Sequence, residues 1–315
     1  MQISESYNTR KNRVRVVISI LVSVSILYVL FQHIELEKLT DVFRKINLKF
    51  IYLAMGISLM INLGFGAYKW QRLLLIMGCR IRYNQTLFIF LGNAPARLIL
   101  PLKMGSLALA SYLSKYQKFS FTKGVSSIIF DKLYNLLGLA LFVSVGLMFF
   151  DFHLMFKILG WCGLILVFCI FFYGFTSIVQ KFLNTISSKL GKSYEETHRI
   201  MINMAFKQKL YLFVCAVIFQ GSAVMTTYLI FKALNISVPF YWLFLFVPLT
   251  IFISQIPITI SGLGTREAVV LFFYSRFAPP EALLNAGILI SFIGYIFLAL
   301  VGSFLMYHFT KRLLA

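Results

Sequence analysis

Long apolar runs separated by short polar and basic gaps make up most of the chain. None of the runs shows the period-two alternation of a membrane β-barrel strand, and each approaches the roughly 20 residues with which an α-helix crosses the bilayer core. The runs cover about 16–31, 51–68, 124–149, 154–175, 210–231 and 286–308. Because backbone in lipid must satisfy its own hydrogen bonds, we expect an all-α polytopic membrane protein with six full transmembrane helices.

Two further apolar segments, Gln85–Leu113 and Ser237–Phe277, are interrupted by helix-breaking residues. The predicted breaks are Gly92, Pro95, Pro101 and Gly105 in the first segment, and Pro257, Gly262 and Gly264 in the second. The pieces of the first segment are too short to cross the bilayer, and non-helical backbone at membrane depth is tolerated only inside protein or beside a cavity. We therefore predict two re-entrant helical hairpins; eight full spans are the alternative.

The distribution of basic residues predicts the orientation of the spans. The chain carries 30 Lys and Arg against 10 Asp and Glu, mostly in the gaps between runs. The basic N-terminus, 1–15, and Lys311 near the C-terminus are expected in the cytoplasm. Basic residues flank the first broken segment on both sides, so we expect this segment to enter the membrane from the cytoplasm. Counting the full spans places both flanks of the second broken segment outside, so we expect it to enter from the opposite face.

These orientations describe a single membrane domain, 1–315, with an inverted-topology repeat. The predicted halves are 50–150 and 209–310, joined by a cytoplasmic connector, 176–208, whose apolar residues recur at helical spacing. The connector is predicted to be an amphipathic helix on the membrane surface, with a solvated loop helix as the alternative. Broken segments at corresponding positions of inverted halves are typical of midplane binding sites in transporters.

Charged and amide side chains inside the apolar segments are the candidates for a functional site. One unpaired charge at mid-bilayer costs at least about 2.5–3.5 kcal/mol, so each such residue needs a structural or functional explanation. The predicted substrate-binding residues are Asn93, Arg97, Lys103, Asp131, Lys132, Asn135, Arg266 and Glu267. In one interpretation these charges pair and only hold helices together. In the other, the cations receive an anionic headgroup, and the carboxylates serve as counter-ions or proton carriers.

Other function classes find little support in the sequence. The four histidines form no cluster, the four cysteines show no metal spacing, and no hydrolase or phosphate-binding motif is present. We expect no catalytic residue, metal or cofactor. The net charge of +20 is explained by topology and attraction to anionic headgroups, so no nucleic-acid partner is expected. The expected location is the cytoplasmic membrane, the expected partners are lipids, and homo-oligomerisation stays open.

Three motifs carry a resemblance to a known family. The stretch PITISGLGTREAVV, residues 257–270, resembles the C-terminal Gly-Leu-Gly-x-Arg-Glu signature of a flippase-like family named after the membrane region of lysylphosphatidylglycerol synthases. An earlier element of that family is similar to the stretch containing Asn93, Pro101, Lys103 and Gly105. A third element resembles the stretch with Asp131, Lys132 and Asn135.

The resemblance implies translocation of a lipid between leaflets or handling of a lipid-linked saccharide. The resulting hypothesis is a transporter of an anionic phospholipid or polyprenyl-phosphate-linked lipid, with Arg97, Lys103 and Arg266 on the phosphate and Asp131 and Glu267 as counter-charges. A membrane-embedded enzyme acting on a lipid-linked saccharide and an accessory subunit of glycolipid assembly are the alternatives. The chain leaves no room for a soluble aminoacyl-transfer domain, so lysylphosphatidylglycerol synthesis is not expected.

Overall fold

A computed structural model describes residues 20–30, 36–99, 105–149, 154–173, 203–256 and 258–314, together with positions 18, 32, 184, 185, 195 and 199. All regular secondary structure in these ranges is helical, which confirms the predicted all-α class. The predicted N-terminal segment and most of the connector 176–208 lie outside the described residues.

The helices alternate between long continuous ones and short pieces. In chain order they are α1 Ile20–Leu30, α2 Leu36–Arg44, α3 Leu48–Ile61, α4 Ala67–Ile76, α5 Tyr83–Gly92, α6 Ala94–Ile99, α7 Gly105–Tyr116, α8 Phe121–Met148, α9 Leu154–Tyr173, α10 Phe206–Ala233, α11 Phe240–Ile253, α12 Thr265–Tyr274, α13 Pro280–Ser291 and α14 Phe297–Leu314.

Four continuous helical stretches within the described ranges are long and apolar enough to cross a membrane: Leu48–Ile76, Phe121–Met148, Phe206–Ala233 and Pro280–Leu305. The predicted first and fourth spans contain shorter apolar helical stretches, Ile20–Leu30 and, within α9, Leu154–Ile170. A multi-pass membrane protein is therefore supported.

The second predicted span, about 51–68, lies within a longer helical stretch, Leu48–Ile76. Lys69 continues this helix beyond the predicted span, and its ammonium group lies 2.9 Å from the Asp131 carboxylate.

Two of the long stretches contain a single π-helical segment, which joins α3 to α4 at Asn62–Gly66 and α13 to α14 at Phe292–Ile296. A π-segment rotates the helix face that follows it, and such segments are frequent at functional sites. Residues of both segments line the cavity described below.

The described pieces of the two broken segments are all shorter than a bilayer-spanning helix. The first contains α5, α6 and α7, of 10, 6 and 12 residues; the second contains α11, of 14 residues, a short 3₁₀ turn at Ile260–Gly262, and α12, of 10 residues. A spanning helix needs roughly 20 residues.

The predicted break residues lie at or beside the ends of these pieces. Gly92 is the last residue of α5, Pro95 lies in the first turn of α6, and Gly105 begins α7. Gly262 and Gly264 have φ angles of +80° and +85°, in the region that favours glycine. Pro101 and Pro257 lie outside the described residues.

Helices of the two predicted halves pack crosswise. The first helices of these predicted halves, α3 and α10, pack on each other. The first broken segment packs through α5 and α6 against α14, and α11 of the second packs against α8. Each broken segment thus contacts the closing helix of the other predicted half, and the two segments contact each other through α6 and the 3₁₀ turn.

Candidate functional site

A cavity of about 350 Å³ lies where the two broken segments approach each other. Arg97 of α6, Ser261 of the 3₁₀ turn and Arg266 of α12 line it, together with residues of α8 and α10. Five predicted binding residues line the cavity: Arg97, Asp131, Lys132, Asn135 and Arg266. The fold therefore brings together residues that lie far apart in the sequence.

A direct contact joins the tips of the broken segments. The Ser261 hydroxyl donates to the carbonyl oxygens of Arg97, at 3.1 Å, and Leu98, at 2.7 Å. These hydrogen bonds join the 3₁₀ turn of the second broken segment to α6 of the first. Ser261 has a φ angle of +52°, a left-handed conformation uncommon for residues other than glycine.

Arg266 is almost fully buried, with 2% of its surface exposed, and three groups stabilise its guanidinium. Nη1 donates to the Ser291 hydroxyl at 2.6 Å, and Nη2 donates to the Ser261 carbonyl at 3.1 Å. The ring of Tyr295 lies 4.1 Å from the guanidinium carbon, which is close enough for a cation–π interaction.

Glu267 is equally buried but does not line the cavity. One carboxylate oxygen accepts the backbone N–H of Gly264 at 2.7 Å, at the N-terminus of α12, and the other accepts the Ser291 hydroxyl. Arg266 and Glu267 are thus connected through Ser291, and the negative charge lies at the positive end of the α12 dipole.

Asp131 and Asn135 of α8 form a network with Lys69 of α4. Lys69 Nζ lies 2.9 Å from the Asp131 carboxylate and donates to Asn135 Oδ1 at 2.6 Å. Asn135 Nδ2 donates to Asp131 Oδ2 at 3.2 Å, and Gln220 Nε2 donates to the Asn135 carbonyl at 3.3 Å. The network neutralises the carboxylate of Asp131.

Sequence reasoning missed Lys69, because the residue follows an apolar run and was counted with the cytoplasmic cations. The sequence does indicate that such a residue is needed. Asp131 and Asn135 share one helix face, and a carboxylate inside the membrane requires a cationic partner.

Arg97 and Lys132 form no salt bridge with a carboxylate within the described part of the chain. Arg97 lies over the Phe90 ring, 5.1 Å from its centroid, and donates weakly to the Phe90 carbonyl at 3.5 Å. Lys132 has an exposed side chain and makes no hydrogen bond or ion pair within the described part of the chain. Asp131 is already paired, so the lining carries excess positive charge.

Besides Glu267, two predicted binding residues are not among those that line the cavity. Asn93 is buried at the junction of α5 and α6, and its Nδ2 has no hydrogen-bond partner among the described residues. Lys103 lies outside the described residues.

Comparison with known proteins places the chain in a family. No curated protein matches it significantly. The model of the family described as the lysylphosphatidylglycerol synthase TM region matches residues 16–302, nearly the whole chain. The earlier resemblance is therefore confirmed, and the chain belongs to the lysylphosphatidylglycerol synthase TM region family of lipid-related membrane proteins.

Proposed function

We propose that the protein moves an anionic lipid between the two leaflets of the cytoplasmic membrane. The observation that carries the proposal is the convergence of Arg97, Lys132 and Arg266, from three separate elements, on one cavity at the meeting point of two broken helices. Phosphate is the anionic group common to the candidate lipids, and guanidinium groups bind it with charge-assisted hydrogen bonds.

The volume of the cavity suits a headgroup rather than a whole lipid. About 350 Å³ lies near the lower end of small-molecule sites, which run from roughly 300 to 1,000 Å³. In the proposed mechanism the headgroup crosses through the polar interior while the acyl or prenyl chains stay in the surrounding apolar phase.

The arrangement of the helices supports two re-entrant hairpins and an inverted repeat. All described pieces of the broken segments are shorter than a span, and each broken segment packs against the closing helix of the other predicted half. Hairpins that enter from opposite faces and touch through Ser261 would leave one central site accessible alternately from each side.

The contacts of the two carboxylates, Asp131 and Glu267, favour transport over an enzymatic reaction on a lipid-linked saccharide. Asp131 is held by Lys69, and Glu267 is held by Gly264 and Ser291. A general acid or base needs a proton-exchanging group within hydrogen-bond reach of the substrate. These contacts occupy the two carboxylates that the enzyme alternative would use.

Reconstituted vesicles test the proposed function. An acyl-chain-labelled fluorescent phosphatidylglycerol is added, and the fraction bleached by a membrane-impermeant reductant measures exchange between leaflets. We expect Arg97→Ala and Arg266→Ala to slow exchange by about tenfold or more, since a hydrogen bond to a charged group contributes about 1.5–3 kcal/mol. Glu267→Gln should slow it less, by weakening the support of Arg266.

Lys49→Ala is the matched control, because Lys49 is an exposed cation outside the cavity. Thermal unfolding of each variant separates loss of function from loss of folding. Unchanged exchange in both Arg266→Ala and Glu267→Gln would contradict the assignment of the site.

A further inference from the structure

We infer that the headgroup in this cavity is a phosphodiester that carries a neutral hydroxyl-bearing group, a polyol or a sugar, and not an amine. The inference rests on the proposed function and deepens it by naming the class of headgroup. It follows from the placement of cationic side chains and of neutral hydroxyl and amide groups along the cavity lining.

The cationic part of the lining offers only donors. The side chains of Arg97, Lys132 and Arg266 have N–H groups and no acceptor. Arg97 and Lys132 form no salt bridge with a carboxylate among the described residues. This part of the lining fits the phosphate oxygens, which are acceptors only.

Hydroxyl groups of α10 and α11 form a second part of the lining, and their protons are already committed. Ser222 donates to the Phe219 carbonyl at 2.7 Å, Thr227 to the Ala223 carbonyl at 2.9 Å, and Thr250 to the Phe246 carbonyl at 2.7 Å. A hydroxyl has a single proton but two lone pairs, so with these hydrogen bonds in place each group accepts from a ligand.

Two amides add acceptors to this region. Asn62 Nδ2 donates to the Ser58 carbonyl at 2.8 Å, and Gln220 Nε2 donates to the Asn135 carbonyl at 3.3 Å. Both residues line the cavity, and each keeps a side-chain oxygen and a second N–H for a ligand, which matches a hydroxyl group because a hydroxyl both donates and accepts. Buried acceptors of this kind call for donors on the ligand.

The donors on the ligand are hydroxyl groups rather than ammonium groups because of the net charge of the lining. Its carboxylate, Asp131, is neutralised by Lys69, which leaves the cations in excess. An ammonium group on the ligand would be repelled by them, whereas hydroxyl groups donate without carrying charge.

Matched lipids test the inference on the purified full-length chain. Dioleoyl phosphatidylglycerol and dioleoyl phosphatidylmethanol carry the same single negative charge and differ in the hydroxyl groups. Polyprenyl phosphohexose and polyprenyl phosphomethyl ester form a second pair, which distinguishes the two possible carriers. Affinities are measured by native mass spectrometry.

We expect the hydroxylated member of at least one pair to bind about tenfold more tightly, as two hydrogen bonds would provide. Ser222→Ala and Thr227→Val should remove most of this preference and leave binding of the methyl ester unchanged. Ser275→Ala is the matched control: Ser275 also donates to a carbonyl three residues earlier, that of Phe272, but lies outside the cavity.

Equal affinity within both pairs, or a preference that survives Ser222→Ala and Thr227→Val, would overturn the inference while leaving anion binding intact. Tighter binding of phosphatidylethanolamine or lysylphosphatidylglycerol than of phosphatidylglycerol would overturn the requirement for a neutral group. If no anionic lipid binds more tightly than phosphatidylcholine, the proposed function fails together with the inference.

Discussion

At the scale of single residues, burial of charge is balanced by a few specific contacts. Arg266 is compensated by a hydroxyl, a carbonyl and an aromatic ring, and Glu267 by a backbone amide and the same hydroxyl. Ser291 therefore connects two charges that are adjacent in sequence but have separate environments. One charge faces the cavity, and the other stabilises the start of α12.

Gly105 supports a prediction at this scale. A Cβ atom at this position would overlap the backbone of Ala96 and Arg97, because α7 begins directly against α6. We expect Gly105→Ala to lower the free energy of unfolding by about 1–3 kcal/mol through overpacking. Thermal unfolding in detergent micelles measures the effect.

Gly56→Ala is the control for that substitution. Nothing lies within 4 Å of a Cβ atom at Gly56, in the middle of α3, so alanine should be neutral or stabilising by up to about 1 kcal/mol. Equal stability of the two variants would mean that α6 and α7 are not in close contact.

At the scale of elements, the Lys69–Asp131 pair joins α4 to α8 next to the cavity. The side chains are 4% and 17% exposed. Removal of one partner from a buried pair leaves an uncompensated charge and typically costs about 3–5 kcal/mol, whereas removal of both can be nearly neutral. We expect Lys69→Met or Asp131→Asn alone to be more destabilising than the two combined.

A double-mutant cycle in thermal or denaturant unfolding measures this coupling. Arg44 and Asp41, 4.0 Å apart and 82% and 64% exposed, form the reference pair, for which the coupling should be close to zero. Additive effects of Lys69→Met and Asp131→Asn would contradict a direct interaction between α4 and α8.

At the scale of the whole molecule, the orientation of the broken segments determines how the central cavity is reached. Exposed positions lie outside the two ends of the first, at Arg82 and Lys118, and at or near the two ends of the second, at Ser237 and Ser275. We predict that both flanks of the first face the cytoplasm and both flanks of the second face outward, because basic residues accumulate inside.

Single cysteines at these four positions, in a chain freed of its own four cysteines, allow a direct measurement. A membrane-impermeant maleimide applied to intact cells should label the cysteines that replace Ser237 and Ser275 but not those that replace Arg82 and Lys118. Opposite labelling of the two flanks of either segment would mean that this segment crosses the membrane, as in the eight-span alternative.

The sequence by itself determined the class of the protein, because apolar runs of bilayer length leave the backbone no alternative to helices. It also located the two broken segments and their charged residues, since proline, glycine and charge inside an apolar run are exceptional in lipid. The family signature resembles the stretch around Arg266 and Glu267, and the match over residues 16–302 confirms that the chain belongs to this family.

Only the tertiary structure decided which of these residues meet. Arg97, Asp131, Lys132 and Arg266 come from three elements, and their shared cavity depends on crosswise packing that no local pattern records. The structure also supplied partners that sequence reasoning overlooked: Lys69 for Asp131, and Ser291 between Arg266 and Glu267. The physical reason is that a charge in a membrane protein is compensated by whatever group the fold brings close, and that group can lie anywhere in the chain.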